Sequence, residues 1–567
     1  MYAVGWRAKY LICILNTLNY NVTDLIFMNL FNKTLLIAGL ACGTSVCSFA
    51  QAYQAPESQP TDYLTPAFHA GRRQALRDMM PANSVAAIFA YPERVFSKDV
   101  NYVFHQNPDL YYFSGYNEPD AVLFVFKEMQ TDADGSYNEL IFVRHRDAAQ
   151  EQWTGRRLGV EGTKAALGFK RVYNGEDFEK FPLDFKKFKT VICDDLEEGS
   201  SDAAGGLKSL VQAFIAKTGI KSTDKGLQND LNVISNYATP KNLDRIIAFI
   251  KPRTEKEAYK NNELIQELFN KPDSATLADV KAKIAANPSG SALFEKYTND
   301  LRGTKTPEEL ALVKKAVVIS SIAHAEAMRA VKPQTSEREL EGIMRYVHAK
   351  YGAEEEGYPP IVGAGANGCI LHYEENNATE VKNQLVLMDV GAMYHGYSAD
   401  VTRTFPANGK FTEEQKAIYN AVYDAQEEVF KLCKEGVNYS ELETKTREVL
   451  SSRLISLGLI KDAKDVGKYY PHGVSHHIGL DVHDKGGYGV ALKSGMVITV
   501  EPGIYIPAGS PCDKKWWNIG VRIEDDVQVG KDGGILLSAD APRKWQDVEK
   551  TVAEKSIFDA GKFPELK

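Results

Sequence analysis

The stretch LVLMDVGAMYHGYSADVTRTFP (residues 385–406) places two carboxylates inside apolar, β-branched sequence. Asp389 lies in a run that is typical of a buried strand, and Asp400 follows eleven residues later in a second strand-like run. The segment 391–396 between them is typical of a hairpin turn, and antiparallel pairing would bring the ends of the two runs together. A buried carboxylate without a partner is costly, so each aspartate needs a salt bridge, another cation or a metal.

Three further side chains in the C-terminal half interrupt sequence of the same kind. His476 belongs to a Gly-containing, loop-like segment that holds four of the chain's eleven histidines within twelve residues. Glu501 ends the buried-strand pattern VITVEP at a turn. Arg522 and Glu524 are two residues apart, which puts both side chains on one face of a strand. Taken alone, that last pair would be a local salt bridge.

As a set, four carboxylates and one imidazole cannot neutralise one another. A pair of divalent metals would satisfy all five, and oxygen-rich ligation with one imidazole suits Mn²⁺ or Co²⁺ better than ions that prefer thiolates. Zn²⁺ stays open as an alternative. The sequence therefore predicts a two-metal hydrolase, and its predicted ligands are Asp389, Asp400, His476, Glu501 and Glu524.

The composition is that of an ordinary globular protein with room for two or three domains. The chain has 567 residues, of which 25 % are charged and 44 % hydrophobic. Its net charge of −8 gives no reason to expect nucleic-acid binding. Four cysteines outside the leader lack CxxC spacing, which disfavours a zinc ribbon or a disulfide framework and leaves one or two bridges open; they are Cys193, Cys369, Cys433 and Cys512.

The first 52 residues are typical of an export leader. A short basic start at Met28 is followed by the apolar, small-residue run 34–50, and Ala50-Gln-Ala52 matches the A-x-A cleavage pattern. We therefore predict a signal peptide that begins at Met28 and is cleaved after Ala52, and export to a periplasm or out of the cell. An uncleaved leader that anchors the chain in a membrane is the alternative, although the apolar run is short for a span.

Two units follow the leader. Residues 62–300 form an α/β domain, because a helical pattern near Ala70 alternates with strand-like runs at 85–90, 121–126 and 139–143. Within it, 225–300 reads as a mostly helical elaboration. The second unit, 306–550, opens with a helix capped at Thr306 and carries strands near 385–405, 496–506 and 518–529. Every candidate ligand lies in this second unit.

One motif matches a nucleotide-binding pattern without its expected context. Gly363-Ala-Gly-Ala-Asn-Gly368 fits the pattern GxGxxG, but the following residues 369–373 are strand-like and no helix is indicated. The sequence therefore predicts a turn that carries His372 into the site, and it disfavours a nucleotide-binding loop.

Several motifs outside and around the ligands point to one family. The chain resembles aminopeptidase P, the Xaa-Pro aminopeptidase branch of the creatinase and methionine-aminopeptidase superfamily, from about Ala67 to Ser538. The stretches that carry this resemblance are HQNPDLYYFSGYNEP (105–119), WTGRRLG (153–159), NGCILHY (367–373), SADVTRTFP (398–406), HGVSH (472–476) and VRIEDD (521–526).

The resemblance implies a creatinase-like N-terminal α/β domain followed by a pita-bread catalytic domain. It implies that the five ligands hold two Mn²⁺-like ions, with Asp400 and Glu524 bridging them. His372 and His483 would bind substrate and handle protons, and Arg522 would steady its strand and a neighbouring acid. Weaker correspondences assign substrate contacts to Tyr505, His472 and Tyr111, the last of which stands where many relatives have Trp.

The implied activity is hydrolysis of the Xaa-Pro bond at the N-terminus of peptides with proline second. Attack by a water between the two metals is expected, with Glu501 as the proton shuttle. A homo-oligomer, either dimer or tetramer, is expected, and no nucleic acid. The alternatives are a prolidase that cuts only Xaa-Pro dipeptides and, more remotely, a metal-free pita-bread module that binds proteins. Methionine aminopeptidase and creatinase fit the sequence less well.

Overall fold

A computed structural model describes residues 60–194, 196, 203–220 and 225–560. The predicted leader, with its start at Met28 and its cleavage after Ala52, lies outside these residues. Within the described part of the chain, no helix has both the length and the apolar character needed to cross a membrane. Export stays a prediction.

A mixed five-stranded sheet forms the centre of the N-terminal domain. The three strand-like runs expected from the sequence are confirmed as its three central antiparallel strands. The elements in chain order are α1 (Pro66–Met79), β1 (Ser84–Phe89), β2 (Val95–Ser97), β3 (Val100–Asn101), α2 (Pro108–Ser114), β4 (Val122–Asp132), β5 (Gly135–Val143), α3 (Ala148–Thr154), α4 (Gly159–Leu167), β6 (Val172–Asn174), β7 (Thr190–Cys193) and α5 (Leu207–Thr218).

This sheet, of order β6-β5-β4-β1-β7, is covered on both faces. Successive residues of a strand point to opposite sides, so β1 supplies Val85 and Phe89 to one apolar core and Ala86 and Ile88 to another. The second core continues into the C-terminal half, where it includes Val317. The N-terminal domain is thus packed directly against the part of the chain that carries the candidate ligands.

The helical elaboration predicted around 225–300 is confirmed as helical, and most of it has a small core of its own. Ile246, Leu268 and Val280 are buried in that core, and the Asp230 carboxylate accepts two hydrogen bonds from the Arg253 guanidinium, at 2.7 and 2.8 Å. The helices are α6 (Lys225–Tyr237), α7 (Leu243–Ile250), α8 (Glu257–Lys260), α9 (Glu263–Asn270), α10 (Ser274–Ala286) and α11 (Gly290–Arg302).

The helix that was expected to open at Thr306 is present, and it begins with a capping box. Thr306 accepts a hydrogen bond from the backbone N–H of Glu309, whose carboxylate accepts one from the Thr306 N–H, and Pro307 occupies the first turn. The elements are α12 (Pro307–Ala330), α13 (Glu337–Lys350), β8 (Glu355–Glu356), β9 (Ile361–Ala364), β10 (Leu385–Asp389), β11 (Ala392–Tyr394), β12 (Tyr397–Ser398), β13 (Thr402–Pro406), α14 (Glu413–Phe430), α15 (Tyr439–Ser456), β14 (Val497–Val500), β15 (Gly503–Ile506), β16 (Ile519–Arg522), β17 (Asp525–Gln528), β18 (Ile535–Leu536) and α16 (Trp545–Val552).

Four short sheets form the centre of this domain, in the orders β13-β10-β9, β12-β11-β8, β14-β17-β18 and β15-β16. The helix pairs α12–α13 and α14–α15 pack beside them, and side chains of all four helices enter one large core with the first and last of these sheets. The acids at the sheet ends are therefore set in a rigid, apolar frame.

The expected simple hairpin over 385–405 is wrong in detail. β10 pairs with β13, so that Asp389 lies opposite Thr402, but the residues between them form a second hairpin, β11–β12, that pairs with β8. The turn of that hairpin is only His395-Gly396, both with positive φ. Asp400 consequently lies just before β13 rather than inside a strand.

The two later strands are also broken. The expected strand at 496–506 splits at Glu501-Pro502, because proline has no N–H to donate to the ladder. The strand at 518–529 splits at Ile523-Glu524, so Arg522 and Glu524 do not share one continuous strand. The Gln426 side chain donates 3.0 Å hydrogen bonds to the carbonyl oxygens of Val500 and Ile523 at these breaks.

The GxGxxG segment is confirmed as a turn without a following α-helix. It joins β9 to a single 3₁₀ turn, Asn367–Cys369, and the strand expected at 369–373 is not formed. Among the described residues, Cys369, Cys433 and Cys512 form no disulfide.

Candidate active site

The five predicted metal ligands lie together in a cavity of about 320 Å³ in the C-terminal domain. Asp389 closes β10 and Asp400 stands just before β13. Glu501 and Glu524 occupy the two strand breaks described above. The cavity is lined by Leu371, His372, Asp389, Asp400, His472, Gly473, Ser475, His476, His483, Tyr488, Glu501, Arg522 and Glu524.

Backbone hydrogen bonds hold these segments in place. The Glu524 N–H donates to the Thr402 carbonyl oxygen at 3.1 Å, and Thr402 in turn lies opposite Asp389. The Glu501 N–H donates to the Val474 carbonyl oxygen at 2.9 Å. The ligands come from distant parts of the sequence, and these backbone hydrogen bonds hold the segments that carry them side by side.

A tyrosine joins the first two acids. The Tyr358 hydroxyl lies 2.6 Å from Asp389 Oδ1 and 2.7 Å from Asp400 Oδ1. The other oxygen of Asp389 accepts a 2.6 Å hydrogen bond from Arg522 Nη2. Asp389 is therefore oriented from both sides, by a hydroxyl and by a guanidinium.

Arg522 connects this acid to the rest of the site. Its Nη1 donates to the Tyr505 hydroxyl at 2.9 Å, and its Nε to Thr402 Oγ1 at 3.1 Å. The Thr402 hydroxyl in turn donates a hydrogen bond to Glu524 Oε2 at 2.6 Å. Arg522 thus contacts Asp389 directly and Glu524 through Thr402.

His476 presents one nitrogen to the acids. Its Nδ1 lies 2.9 Å from the His477 carbonyl oxygen, which fixes this nitrogen as the N–H donor when the ring is neutral. Its Nε2 is 3.3 Å from Asp400 Oδ2 and 3.6 Å from Glu501 Oε1. The Nε2 atom is the one available to a metal.

The acids raise one another's pKa. Burial, added to the charges of Asp400 and Asp389, raises the pKa of Glu501 to about 7. Burial and the neighbouring acids also raise the pKa of Asp400 and that of Glu524. Asp389 differs, because the charge of Arg522 and its hydrogen bonds outweigh burial and lower its pKa.

The pKa of the His476 imidazole is also raised, here because the acids favour its protonated form. Burial alone would lower the pKa of His476, but the hydrogen bond to Asp400 and the charge of Glu501 raise it to about 9. Three buried acids and the partly exposed Glu501 therefore face Arg522 and one histidine whose pKa is raised, and the cluster is short of positive charge. Divalent cations would replace the protons held here, since metal ligands bind in their deprotonated form.

The donor chemistry fits such cations. Ligand atoms of Asp400, His476 and Glu524 all lie within 4.8 Å of one another. Asp389 and Glu501 complete the oxygen-rich set from the same cavity, although Asp389 is turned towards Arg522. Carboxylate oxygens with one imidazole suit Mn²⁺, Co²⁺ or Zn²⁺.

The predicted substrate residues divide into two groups. His372 and His483 are exposed in the cavity, and the His483 ring lies 4.3 Å from that of His476. His472 also lines it, and its Nε2 is 2.9 Å from the Tyr505 hydroxyl. Tyr111 instead lines a separate cavity of about 830 Å³ between the N-terminal and C-terminal domains. Its substrate role stays a prediction.

Sequence reasoning missed three groups that support the acids. They are the hydroxyl of Tyr358, the hydroxyl of Thr402, and Asp526, whose Oδ2 accepts a 2.9 Å hydrogen bond from the Asp400 N–H. Thr402 and Asp526 lie inside quoted motifs, where their spacing from Asp400 and Glu524 could have singled them out. Tyr358 stands in EGYPP, which carries no signal beyond that of a turn.

Comparison with known proteins follows the domain division. The family "Metallopeptidase family M24" matches residues 311–531, and "Aminopeptidase P, N-terminal domain" matches 69–191. Xaa-Pro aminopeptidase of Escherichia coli is 33 % identical over 490 residues, covering 84 % of this chain and 96 % of that protein. Xaa-Pro aminopeptidase 3 of Homo sapiens is 28 % identical over 485 residues, covering 84 % and 82 %.

Solved structures agree. Aminopeptidase P from E. coli with the inhibitor Pro-Leu superposes with a TM-score of 0.66 at 30 % identity, covering 86 % of this chain and 98 % of that one. A proline aminopeptidase P from Yersinia pestis gives 0.65 at 29 % identity, covering 86 % and 100 %. The expected architecture, a creatinase-like N-terminal domain before a pita-bread domain, is confirmed. The chain belongs to the aminopeptidase P family of M24 metallopeptidases.

Proposed function

We propose that this metallopeptidase removes the first residue from peptides with proline in second position, with two divalent cations held by the five ligands. One observation carries the proposal. Four acids and an imidazole share one cavity in which the pKa values of Asp400, Glu501 and Glu524 are raised and that of His476 reaches about 9. The relatives that share this architecture are named Xaa-Pro aminopeptidases.

Asp389, Asp400, His476, Glu501 and Glu524 would hold the two ions. When bound, such ions polarise a peptide carbonyl and increase the acidity of water near neutral pH. We propose Mn²⁺ as the resident metal, with Co²⁺ or Zn²⁺ as alternatives, because oxygen donors dominate the set. A structure of the E. coli enzyme is described as zinc-substituted.

The chain's own residues prepare the ligands. Tyr358 and Arg522 hold the two oxygens of Asp389 in fixed directions, and Thr402 does the same for one oxygen of Glu524. The Nδ1 contact of His476 leaves its Nε2 for a cation. This arrangement removes rotational freedom from the acids before any ion binds.

Proton transfer falls to Glu501. Glu501 faces the cavity as a carboxylate, so it would take up a proton there and pass it to the leaving proline nitrogen; its pKa of about 7 is that of the metal-free cluster. His472 Nδ1 lies 3.7 Å from the second Glu501 oxygen.

Two histidines would meet the substrate. His372 and His483 are exposed on the cavity wall, and burial together with the charges of His476 and His372 lowers the pKa of His483. A neutral imidazole can donate one hydrogen bond to a peptide carbonyl oxygen or to the oxyanion that develops from it. Both would therefore bind and orient the first peptide bond.

Two broader features are proposed from the sequence. The segment from Met28 to Ala52 supports export by a cleaved signal peptide. The resemblance of the N-terminal motifs to those of aminopeptidase P supports a homo-oligomer, dimer or tetramer. Amino-terminal sequencing of the mature protein and light scattering would test these two proposals.

The deciding experiment compares Xaa-Pro-Yaa tripeptides with Xaa-Pro dipeptides, using metal-stripped protein before and after Mn²⁺ is added back. Release of the first residue from the tripeptides, restored by Mn²⁺, is the expected result. Cleavage of dipeptides alone would make the protein a prolidase, which has the same ligands but is less supported by the N-terminal domain match. No cleavage with any divalent metal would favour a protein-binding module.

A further inference from the structure

A second buried ionic cluster joins the N-terminal domain to the loop that follows His476. Three cations and three aspartates contact one another in it, at 2.9 Å or less. We call it the Arg302 network; its members are Arg302, Lys305, Lys485, Asp109, Asp481 and Asp484.

Arg302, the last residue of α11, is the centre of the network and is 1 % exposed. Its Nη1 lies 2.7 Å from Asp109 Oδ1, on α2 of the N-terminal domain. Its Nη2 contacts Asp481 Oδ2 at 2.6 Å and also Asp484 Oδ1. One guanidinium thus binds both domains.

The two lysines complete the pairing. Lys305 Nζ lies 2.9 Å from Asp484 Oδ2, and Lys485 Nζ lies 2.7 Å from Asp109 Oδ2. Burial alone would raise the pKa of Asp484, but the charges of Arg302 and Lys305 lower it to about 2. The charges of this network are therefore balanced, without any added ion.

The network holds the short loop that carries His483. In this loop the Asp484 N–H donates to the His477 carbonyl oxygen at 2.9 Å, and the Gly479 N–H donates to the Asp481 carbonyl oxygen at 3.1 Å. A Cβ at Gly479 would clash with the Asp484 carboxylate, so only glycine admits this close approach. Side chains on both sides of His483 are thereby tied to Arg302.

We propose that Arg302 is a positioning residue for His483, and that it makes the N-terminal domain of the same chain, through Asp109, part of the catalytic apparatus. Among the described residues, the His483 side chain makes no hydrogen bond and contacts the His476 ring at 4.3 Å, so its direction depends mainly on the loop backbone. Asp481 and Asp484 fix that backbone. The catalytic part of this inference rests on the proposed function, while the positioning part stands on the contacts alone.

Stability alone does not account for such a network. Removing the four fully buried charged groups from water, Arg302, Lys305, Asp109 and Asp484, is costly, and buried ion clusters often add little net stability over apolar packing. A buried ion cluster instead holds its segments in one conformation, because each charged group must stay in contact with its partners. A loop that carries a substrate-binding histidine benefits from such a constraint, since a displacement of about 1 Å can cost roughly 100-fold in rate.

The test compares Arg302→Lys with Arg253→Lys. Arg253 forms an equivalent two-bond pair with Asp230 in the helical elaboration, far from His483 in sequence. We expect Arg302→Lys to lower kcat roughly 10- to 100-fold with KM changed less than about threefold. Amide hydrogen exchange over residues 477–486 should become faster, also in metal-free protein. Arg253→Lys should change neither quantity.

A double-mutant cycle with His483→Ala identifies the route. If Arg302 acts through His483, adding Arg302→Lys to His483→Ala will lower kcat by less than about twofold more. Fully multiplicative losses, or loop exchange that matches wild type while the Tm falls, would overturn the proposal and leave Arg302 a structural residue. If the wild-type protein showed no peptidase activity, the proposed function would be refuted. The hydrogen-exchange result would still decide whether Arg302 positions the loop that carries His483.

Should Arg302→Lys fail to fold, Asp481→Asn takes its place. The Asp481 side chain is 42 % exposed, so its loss leaves no unpaired charge in the core. The same split between kcat and KM, with the same local exchange, is expected at smaller amplitude. Unchanged kcat and unchanged exchange in this variant would also overturn the proposal.

Discussion

The carboxylate cluster around Asp400 and the Arg302 network are both buried and ionic, yet they differ in charge balance. In the network, three cations meet three aspartates, and the pKa of Asp484 falls to about 2. In the cluster, four acids meet Arg522 and His476, and the pKa of Glu501 rises to about 7. The network is electrostatically complete, whereas the cluster needs cations that the chain does not supply. This difference in charge balance separates the positioning network from the metal site.

The largest expected effect comes from Asp400→Asn. It removes one of the five proposed metal ligands, so we expect activity to fall roughly a thousandfold or more and Mn²⁺ binding, followed by calorimetry, to weaken strongly. The free energy of unfolding of the metal-free protein should not fall, because the substitution relieves repulsion among buried acids. Near-normal turnover by the purified variant would contradict the metal assignment.

Asp484→Asn is the matched change in the balanced network. It leaves Arg302 and Lys305 without a full partner in the interior, so we expect the metal-free protein to lose about 3 kcal/mol of unfolding free energy. Chemical denaturation of this variant beside Asp400→Asn would test the comparison directly. Equal stability changes in the two variants would show that charge balance does not distinguish the two clusters.

The pH dependence of stability should differ between the clusters as well. The pKa of Glu501 is raised from 4.5 to about 7, so its contribution is fully present below pH 4.5 and is lost as the pH rises to about 7. His476 is raised from 6.5 to about 9, so its contribution is lost as the pH rises through 9. Between pH 5 and 9 each of these two shifts alone is worth about 3 kcal/mol, so we expect the metal-free protein to lose about 3–5 kcal/mol, less than the sum because the two groups are coupled.

Two controls sharpen this result. Saturating Mn²⁺ should reverse the slope over the same range, because the ligands bind the ion in deprotonated form. Asp484, with a pKa lowered from 3.8 to about 2, should contribute a constant amount above pH 4 and lose it only as the pH falls through about 2. Denaturation profiles of Glu501→Gln that keep the wild-type slope above pH 5 would contradict the assignment to Glu501.

The carboxylate cluster was more predictable from sequence than the network. Asp389 and Glu501 stand out because each interrupts a strongly apolar run, and burial of a charge demands an explanation at once. Arg302 ends one helix and Asp109 lies in the first turn of another, 193 residues apart, so only the tertiary structure brings them together. A conspicuous local context reveals a ligand, while a long-range ion pair leaves no local trace.

The fold could likewise be predicted where it depends on local sequence, and not where it depends on distant residues. The capping box at Thr306 and the apolar strands of the N-terminal sheet are local, and both are confirmed. The turn at Glu501 was expected from Pro502, whereas the strand break at Glu524 was missed, because no local signal marks it and Gln426 reaches it from α14. These breaks are where the ligands emerge, so the least predictable backbone is the part most closely tied to the site.

The smallest expected effect is that of Tyr358→Phe, which leaves all five ligands in place. Without the hydroxyl, Asp389 and Asp400 lose a shared donor at 2.6 and 2.7 Å and can rotate, so we expect Mn²⁺ affinity and kcat to fall about 10-fold. Tyr397→Phe is the matched control, because its buried hydroxyl also donates to a buried acid, Glu309, at 3.1 Å, outside the cavity. For Tyr397→Phe we expect a loss of Tm similar to that of Tyr358→Phe, with unchanged metal affinity. Equal metal affinity in both variants would mean that the tyrosine supports the fold rather than the orientation of the acids.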